Sequence, residues 1–340
     1  MKKIFSALAI CFCAGTLVAF SACQPTLKDP AGLYESFLNK ESHENNFSSG
    51  ETLDGTGTVE YRHVSTCEEF FEAVEANQNI RLINDITLAP AVGNENKASI
   101  ITFSHEHNIY LHLNGFDITT EKLPDKSGRY YAFLNEGMLT VLGDGSTIFS
   151  RGIKNNGVLT IAGEVTVETN DTKGAAIVNN GSLRLQKGTI KSTKNGAICI
   201  ENFGDAHLLG GSLQCANTDN YAITSYGNIE INGATITSVK GGVYTNAGDV
   251  VIENGSIAAT AGYALAINGG RAVLNGGTLT GQEKDVLVTS SLAHFTINSG
   301  TITNGILNRG LVTLNNGATI DVTAITNAGG EVFDNRTNEE

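Results

Sequence analysis

Tryptophan is missing from the 340 residues, and there are only 4 prolines, 2 methionines, 6 cysteines and 9 tyrosines. Without Trp, and with few Tyr, broad aromatic platforms for stacking sugars are expected to be scarce. All four prolines (Pro25, Pro30, Pro90, Pro124) stand in the first 124 positions. The remainder is therefore open to uninterrupted strand ladders, in which every N–H is needed. Basic residues are few as well, 22 Lys and Arg against 35 Asp and Glu, which argues against nucleic acid or an anionic bilayer as a partner. No apolar run after Phe20 is long enough to span a membrane. The cysteines are too few and too scattered for a disulfide framework, and none has the spacing of a metal knuckle.

What the chain has in quantity is glycine, 39 residues, and much of it follows Asn at a fixed interval. Ile177-Val178-Asn179-Asn180-Gly181-Ser182-Leu183-Arg184-Leu185 and Ile306-Leu307-Asn308-Arg309-Gly310-Leu311-Val312-Thr313-Leu314 are two copies of one phrase. The phrase returns every 17 to 24 residues, which is the mark of a solenoid. Aligned on glycine, the Asn column reads Asn135, Asn155, Asn179, Asn202, Asn246, Asn268, Asn308 and Asn327, with Ser225 and Ser291 completing it. Apolar residues two and four positions after the glycine, such as Leu159 and Ile161, alternate as in a strand. A further short strand follows (Gly188-Thr189-Ile190, Gly255-Ser256-Ile257), and a third precedes the next Asn. Three short strands per turn predict an all-β, right-handed, single-stranded parallel β-helix, each strand pairing with its equivalent about 4.8 Å away in the next coil.

An Asn side chain is both donor and acceptor, so stacked copies can bond one another. Each bond adds about 0.5–1.5 kcal/mol net, whereas a buried amide left unpaired costs about 1–3 kcal/mol. The glycine column is expected to supply left-handed turns. A leucine-rich horseshoe would need a denser Leu consensus and a helical return in each repeat, and neither is present.

Over about residues 78 to 330 the chain resembles the pectin-lyase-like superfamily of right-handed β-helices, and more closely its repeat-only members among bacterial surface lipoproteins. The Asn column and the phrase Leu-x-Leu-Asn-Gly-x-x-Ile (Leu111 to Ile118; compare Ile229 to Ile236) carry the resemblance. It implies the fold and says little about activity. Catalytic members work from an exposed strand face, where Asp clusters hold calcium or protonate a glycosidic oxygen beside a basic residue.

Read from its start, residues 1–22 form an export signal: Lys2 and Lys3, then an apolar run from Ile4 to Phe20. Phe20-Ser21-Ala22-Cys23 resembles a lipoprotein signal, which implies a mature chain beginning at a lipid-bearing Cys23; plain secretion is the alternative. Loss of Lys2 and Lys3 leaves 20 basic against 35 acidic residues, a net charge of −15. Residues 23–60 are polar, without apolar period, and read as a flexible tether. Residues 61–134 are expected to hold a capping helix and irregular first coils, and 135–340 the regular coils. Ser65-Thr66-Cys67-Glu68 predicts a capping box with Ser65 as N-cap, and Phe70, Phe71 and Val74 mark one face of a helix to about Gln78. Laid over the first coil, that helix would close an otherwise open strand edge. The thiols Cys67, Cys199 and Cys215 are expected to be buried or to form at most one disulfide.

The sequence contains no phosphate loop, nucleophile elbow, zinc helix or calcium loop, so no cofactor is expected. Three constellations remain. One position after each glycine stand Ser182, Asp205, Asn228, Asp249, Arg271 and His294; three after stand Arg184, His207 and Glu230. Both columns alternate with apolar residues and are predicted to face outward. This makes Arg184, Asp205, His207, Glu230, Asp249, Arg271 and His294 the candidate ligand-binding patch. His105-Glu106-His107 with His112 is either a metal pair or structural, His107 falling in the Asn column. Val243, Leu265 and Val288, with Ile267, are either an outward apolar stripe or core. The plain short coils favour a non-catalytic, lipid-anchored envelope protein that binds a glycan or a surface protein. The alternative is a polysaccharide lyase or glycoside hydrolase acting around Asp205, Asp249 and Arg271.

Overall fold

The computed structural model of the chain describes residues 59–89, 99–120, 131–169, 172 and 174–336. The expected signal, Cys23 and nearly all of the tether lie outside the described residues. The described part is a parallel β-solenoid of about nine turns. One face is a sheet of 11 strands that runs in strict chain order from Ser99–Phe103 to Ile325–Asn327. The strands after the glycines form a second face, and the Gly-Thr-Ile strands a third. In two coils these faces fuse, because Asn228–Ser238 and Asp249–Ala259 pass through the corner as single strands, with a register shift at Asn232.

Every described strand pair is parallel, and outside the shifts at Asn232 and at Glu164/Val165 like positions pair from coil to coil. Ile153 pairs with Ile177, Ile177 with Ile200, and Ile200 with Ile223, so like residues stack along the axis. The period of two sends Leu159, Leu183, Ala206, Ile229 and Val250 inward, where all are buried. Val243, Leu265, Val288 and Ile267 are fully buried as well. They are core and not an outward stripe. Nor do they form one column, since Leu265 pairs with Val243 but Val288 pairs with Ile267.

The Asn ladder is present. Asn135 Nδ2 donates to Asn155 Oδ1 (2.7 Å), Asn155 to Asn179 (2.8 Å), Asn179 to Asn202 (2.7 Å), and Asn202 to Ser225 Oγ (3.0 Å). Asn308 to Asn327 (2.9 Å) is a second run. Asn246 and Asn268 depart from expectation. Register puts Thr245, Ile267 and Val288 in the buried column, while Asn246 and Asn268 sit one residue further on, at the turn tip, bonded to each other at 2.6 Å. Across the second face lies a ladder the repeat alignment does not show: Asn275 to Glu253 (2.9 Å), Asn298 to Asn275 (2.6 Å), Asn315 to Asn298 (2.6 Å) and Asn335 to Asn315 (3.1 Å).

The glycine column supplies the expected left-handed turns at Gly248, Gly270 and Gly329, with φ of 77°, 77° and 99°, but has another cause in the longer run. Gly157, Gly181, Gly204 and Gly227 do not adopt positive φ. Instead, a Cβ on Gly181 would run into the carbonyl oxygen of Gly157, and one on Gly204 into that of Gly181. Close approach of successive turns excludes a side chain there.

The helix α1 is Cys67–Glu75, and its cap lies one residue later than predicted. Thr66 is the N-cap, its Oγ1 accepting from Glu69 N–H (3.2 Å), and Glu69 Oε2 accepts from the N–H groups of Ser65 (2.7 Å) and Thr66 (3.2 Å). The N–H and hydroxyl of Ser65 and the N–H of Thr66, all donating to this carboxylate, hold it below its usual range, Ser65 contributing most. Phe70 and Val74 are buried across the end of the coil stack, and Phe71 packs against the same core half-buried. The Phe70 ring stacks on Phe133 with centroids 6.2 Å apart, so α1 covers the first coil as expected.

Candidate functional site

Strand register aligns the two predicted columns of the second face. Ser182 pairs with Asp205, Asp205 with Asn228, Asp249 with Arg271 and Arg271 with His294; beside them Arg184 pairs with His207 and His207 with Glu230. Parallel in-register pairing brings the charged side chains together from 23 residues or so apart, with no loop needed to carry them.

The side chains are engaged with one another. Asn228 Nδ2 donates to Asp205 Oδ1 (2.9 Å), and Asn228 Oδ1 accepts from Asp249 N–H (3.1 Å). His207 Nδ1 donates to Glu230 Oε2 (2.9 Å), and Arg271 Nη2 to Asp249 Oδ2 (2.6 Å). Between them is an open depression of about 210 Å³, lined among others by Asp205, His207, Asn228, Glu230, Asp249 and Glu253. Arg184, expected to face outward, is instead buried at one flank; Arg271 and His294 lie exposed beyond the lining. Glu253 escaped the sequence reading. It lies where the unbroken strand Asp249–Ala259 carries the outward period one step past Val251, and it accepts from Asn275.

Phe203 and Tyr226 were also not foreseen. They occupy the turn tips directly before Gly204 and Gly227, their rings stacked with centroids 5.1 Å apart and planes 5° apart. The signal was an aromatic in the same slot of two successive turn phrases, Asn202-Phe203-Gly204 and Ser225-Tyr226-Gly227.

The histidine trio does not converge. Ser104 N–H donates to His107 Nδ1 (3.1 Å), and His105 Nδ1 lies 3.0 Å from the Glu136 carbonyl oxygen and donates to it. His107 stands in the register of Gly137, not of the Asn column, where Phe103 faces Asn135. His112 lies edge-on to Tyr61 at 6.1 Å, and burial lowers its pKa, helped by Arg81. Among the described residues, no group of three or more His, Cys, Asp or Glu is placed to hold a metal ion. Cys67, Cys199 and Cys215 are free thiols. Burial, with the hydrogen bond to Cys215, pushes the Cys199 thiol well up; that same bond brings Cys215 down to about 7.

The fold and this face define the class: a parallel β-solenoid with an internal Asn ladder and a mixed-charge outer ladder. The chain matches no family model, no curated protein and no solved structure. Among the described residues no helix is long and apolar enough to cross a membrane.

Proposed function

We propose that the chain is a non-catalytic cell-envelope rod, lipid-anchored at Cys23 and lifted by the polar segment to residue 60, whose outer ladders bind a glycan or a surface protein. Kinship with the repeat-only lipoproteins of the pectin-lyase-like superfamily belongs to the same reading, as does placement in a bacterial envelope. The observation behind it is the pairing on the second face. Asp205, Glu230, Asp249 and Glu253 each already accept from a neighbour one coil away, on a strand face bounded by short turns. A hydrolytic pair needs one carboxyl group free to donate a proton and another free to activate water or attack. Here the carboxylates are tied along a row, which suits a binding surface.

A polysaccharide lyase or glycoside hydrolase is the second reading, and the depression favours it. Asp205 and Asp249 are two coils apart, roughly 9.6 Å by doubled strand spacing, near the upper end of the carboxyl separation in inverting enzymes. Purified protein incubated with acidic and neutral glycans, with and without calcium, separates the two. The binding reading expects no new reducing or unsaturated ends, and their release would establish the enzyme. In cells, Cys23→Ser is expected to move the protein from the membrane fraction to the soluble one; full retention would refute the anchor.

A further inference from the structure

The turn tips form their own column. Phe203 N–H donates to Asn179 O and Tyr226 N–H to Asn202 O, both at 2.7 Å, and Asn156, Asn180, Asn246 and Asn268 make the same bond in their coils. Asn156, Asn180, Phe203, Tyr226, Asn246 and Asn268 therefore lie in a row along the axis, one per coil, at steps of about 4.8 Å. Asn180 donates to Asn156 (2.8 Å) and Asn268 to Asn246 (2.6 Å). The middle of the row is thus a stacked aromatic pair with an amide pair at either end.

Three features make this pair more than two exposed rings. First, Phe203 is 46% and Tyr226 43% exposed, although stacked rings of this size are normally covered. Second, their turns are locked from within. Asn202 Nδ2 donates to the carbonyls of Gly204 and Asn228 (3.0 Å each), and Ser225 Oγ to that of Gly227 (2.8 Å). A surface held in place before binding loses little freedom on binding. Third, Asp205 and Asn228, two residues after each ring, form one wall of the depression. Aromatic faces and polar groups therefore meet on one rigid strip.

We infer that this strip is a glycan site: a pyranose ring packs on the free outer side of the stacked Phe203–Tyr226 pair, and the sugar's hydroxyl or amino groups reach the amides and the carboxylates of Asp205, Glu230 and Asp249. An aromatic face is electron-rich and attracts the polarised C–H face of a sugar. The coil step is close to the length of one sugar unit in an extended chain, so a linear polymer parallel to the axis meets one turn tip per unit. Four carboxylates line the depression, so the site takes uncharged or amine-bearing sugars and repels polyuronates. The inference rests on the binding reading above and adds the site and the sugar class to it.

The test is calorimetric titration of the full mature protein with oligomers of cellulose, chitosan and polygalacturonate. Cellulose or chitosan oligomers bind, chitosan more tightly, and polygalacturonate does not. Phe203→Ala and Tyr226→Ala each weaken binding about tenfold, equivalent to about 1.4 kcal/mol, while Tyr244→Ala on the first face leaves it unchanged. Asp249→Asn weakens chitosan more than cellulose. Both rings are exposed, so circular dichroism confirms that the variants keep the fold. Wild-type affinity in both ring variants would overturn the strip while leaving the binding rod intact. Tightest binding of polygalacturonate, or of no oligomer, would overturn the sugar class. Shortened oligomers would instead overturn the non-catalytic reading.

Discussion

Replacing Asn179 by Leu removes the centre of the longer ladder with little change of volume, so no cavity term enters. Asn179 is fully buried. Its Oδ1 accepts from Asn155 (2.8 Å), and its amide donates to Asn202 Oδ1 (2.7 Å), Asp205 O (2.9 Å) and Gly181 O (3.2 Å). In the variant Asn155 keeps Gly157 O and Ser182 O as acceptors, so its amide is not stranded. Asn202 Oδ1 loses the amide that reaches it from the preceding coil. One stranded buried acceptor costs about 1–3 kcal/mol, and the lost bonds to backbone carbonyls add about 1 more. The expected loss is about 2–4 kcal/mol, read as a lower guanidinium midpoint with the slope m unchanged. Asn268→Leu is the matched control. At the half-exposed turn tip water replaces the lost partners, so the cost should stay below about 1 kcal/mol. Equal losses in the two variants, or none in Asn179→Leu, would refute the assignment of the buried column as the structural one.

Phe70→Ala should cost about 3–5 kcal/mol and uncover the edge of the first coil, so that light scattering detects end-to-end association that the wild type lacks. Gly181→Ala should destabilise by about 1–3 kcal/mol, because its Cβ meets the Gly157 carbonyl. Gly145→Ala has open space around the new Cβ and should cost only the strain of its positive φ, which thermal melting can compare. The Asp334 carboxyl is held at about 2, mainly by its hydrogen bonds from Arg336. Its folded pKa lies below the unfolded value, so its contribution is present above about pH 4 and lost as pH falls through about 2. An NMR titration should return Asp334 to the ordinary carboxylate range in Arg336→Ala.

The solenoid, the ladder from Asn135 to Asn202 and the charged columns were legible because each rests on a period that pairing preserves. Asn246 and Asn268 were misplaced by one added residue that alignment on glycine conceals. In Asn202-Phe203-Gly204 the glycine comes two residues after the strand end, but in Thr245-Asn246-Ala247-Gly248 it comes three after. One residue of slip exchanges inside and outside, so Asn246 and Asn268 move to the tip and Thr245 and Ile267 turn inward. His107 was misplaced by a turn lengthened by two residues, since Phe103 and His107 are four apart where Asn135 and Gly137 are two. The cap slipped because Ser65 and Thr66 are both competent caps, and both Glu68 and Glu69 could have closed the box. The second corner ladder hid in uneven spacing: Asn275, Asn298, Asn315 and Asn335 are 23, 17 and 20 residues apart.

The arrangement of the buried column follows from the direction of its bonds. Each amide donates toward the next coil, so the first residue of a run has no ladder donor for its Oδ1; in the second run Asn308 Oδ1 accepts instead from Gly310 N–H (3.0 Å). In the longer run that atom is Asn135 Oδ1, buried and without a partner, opposite Phe103. That cost falls once, at the start of the longer run, whereas the gain grows with every coil added. A single buried Asn among apolar neighbours would carry the cost with no gain. The column accordingly has a run from Asn135 to Ser225, a stretch in which Thr245 bonds its own turn at Ala247 (2.8 Å) before Ile267 and Val288, and a second run at Asn308 and Asn327. Along that stretch support passes to the other corner, where the Glu253–Asn275–Asn298–Asn315 ladder holds the turns. Phe203 and Tyr226 stand on the last two turns of the longer run, those of Asn202 and Ser225. The rigidity that the inferred glycan strip requires is therefore a consequence of where the ladder ends, and weakening Asn202 should loosen sugar binding without touching either ring.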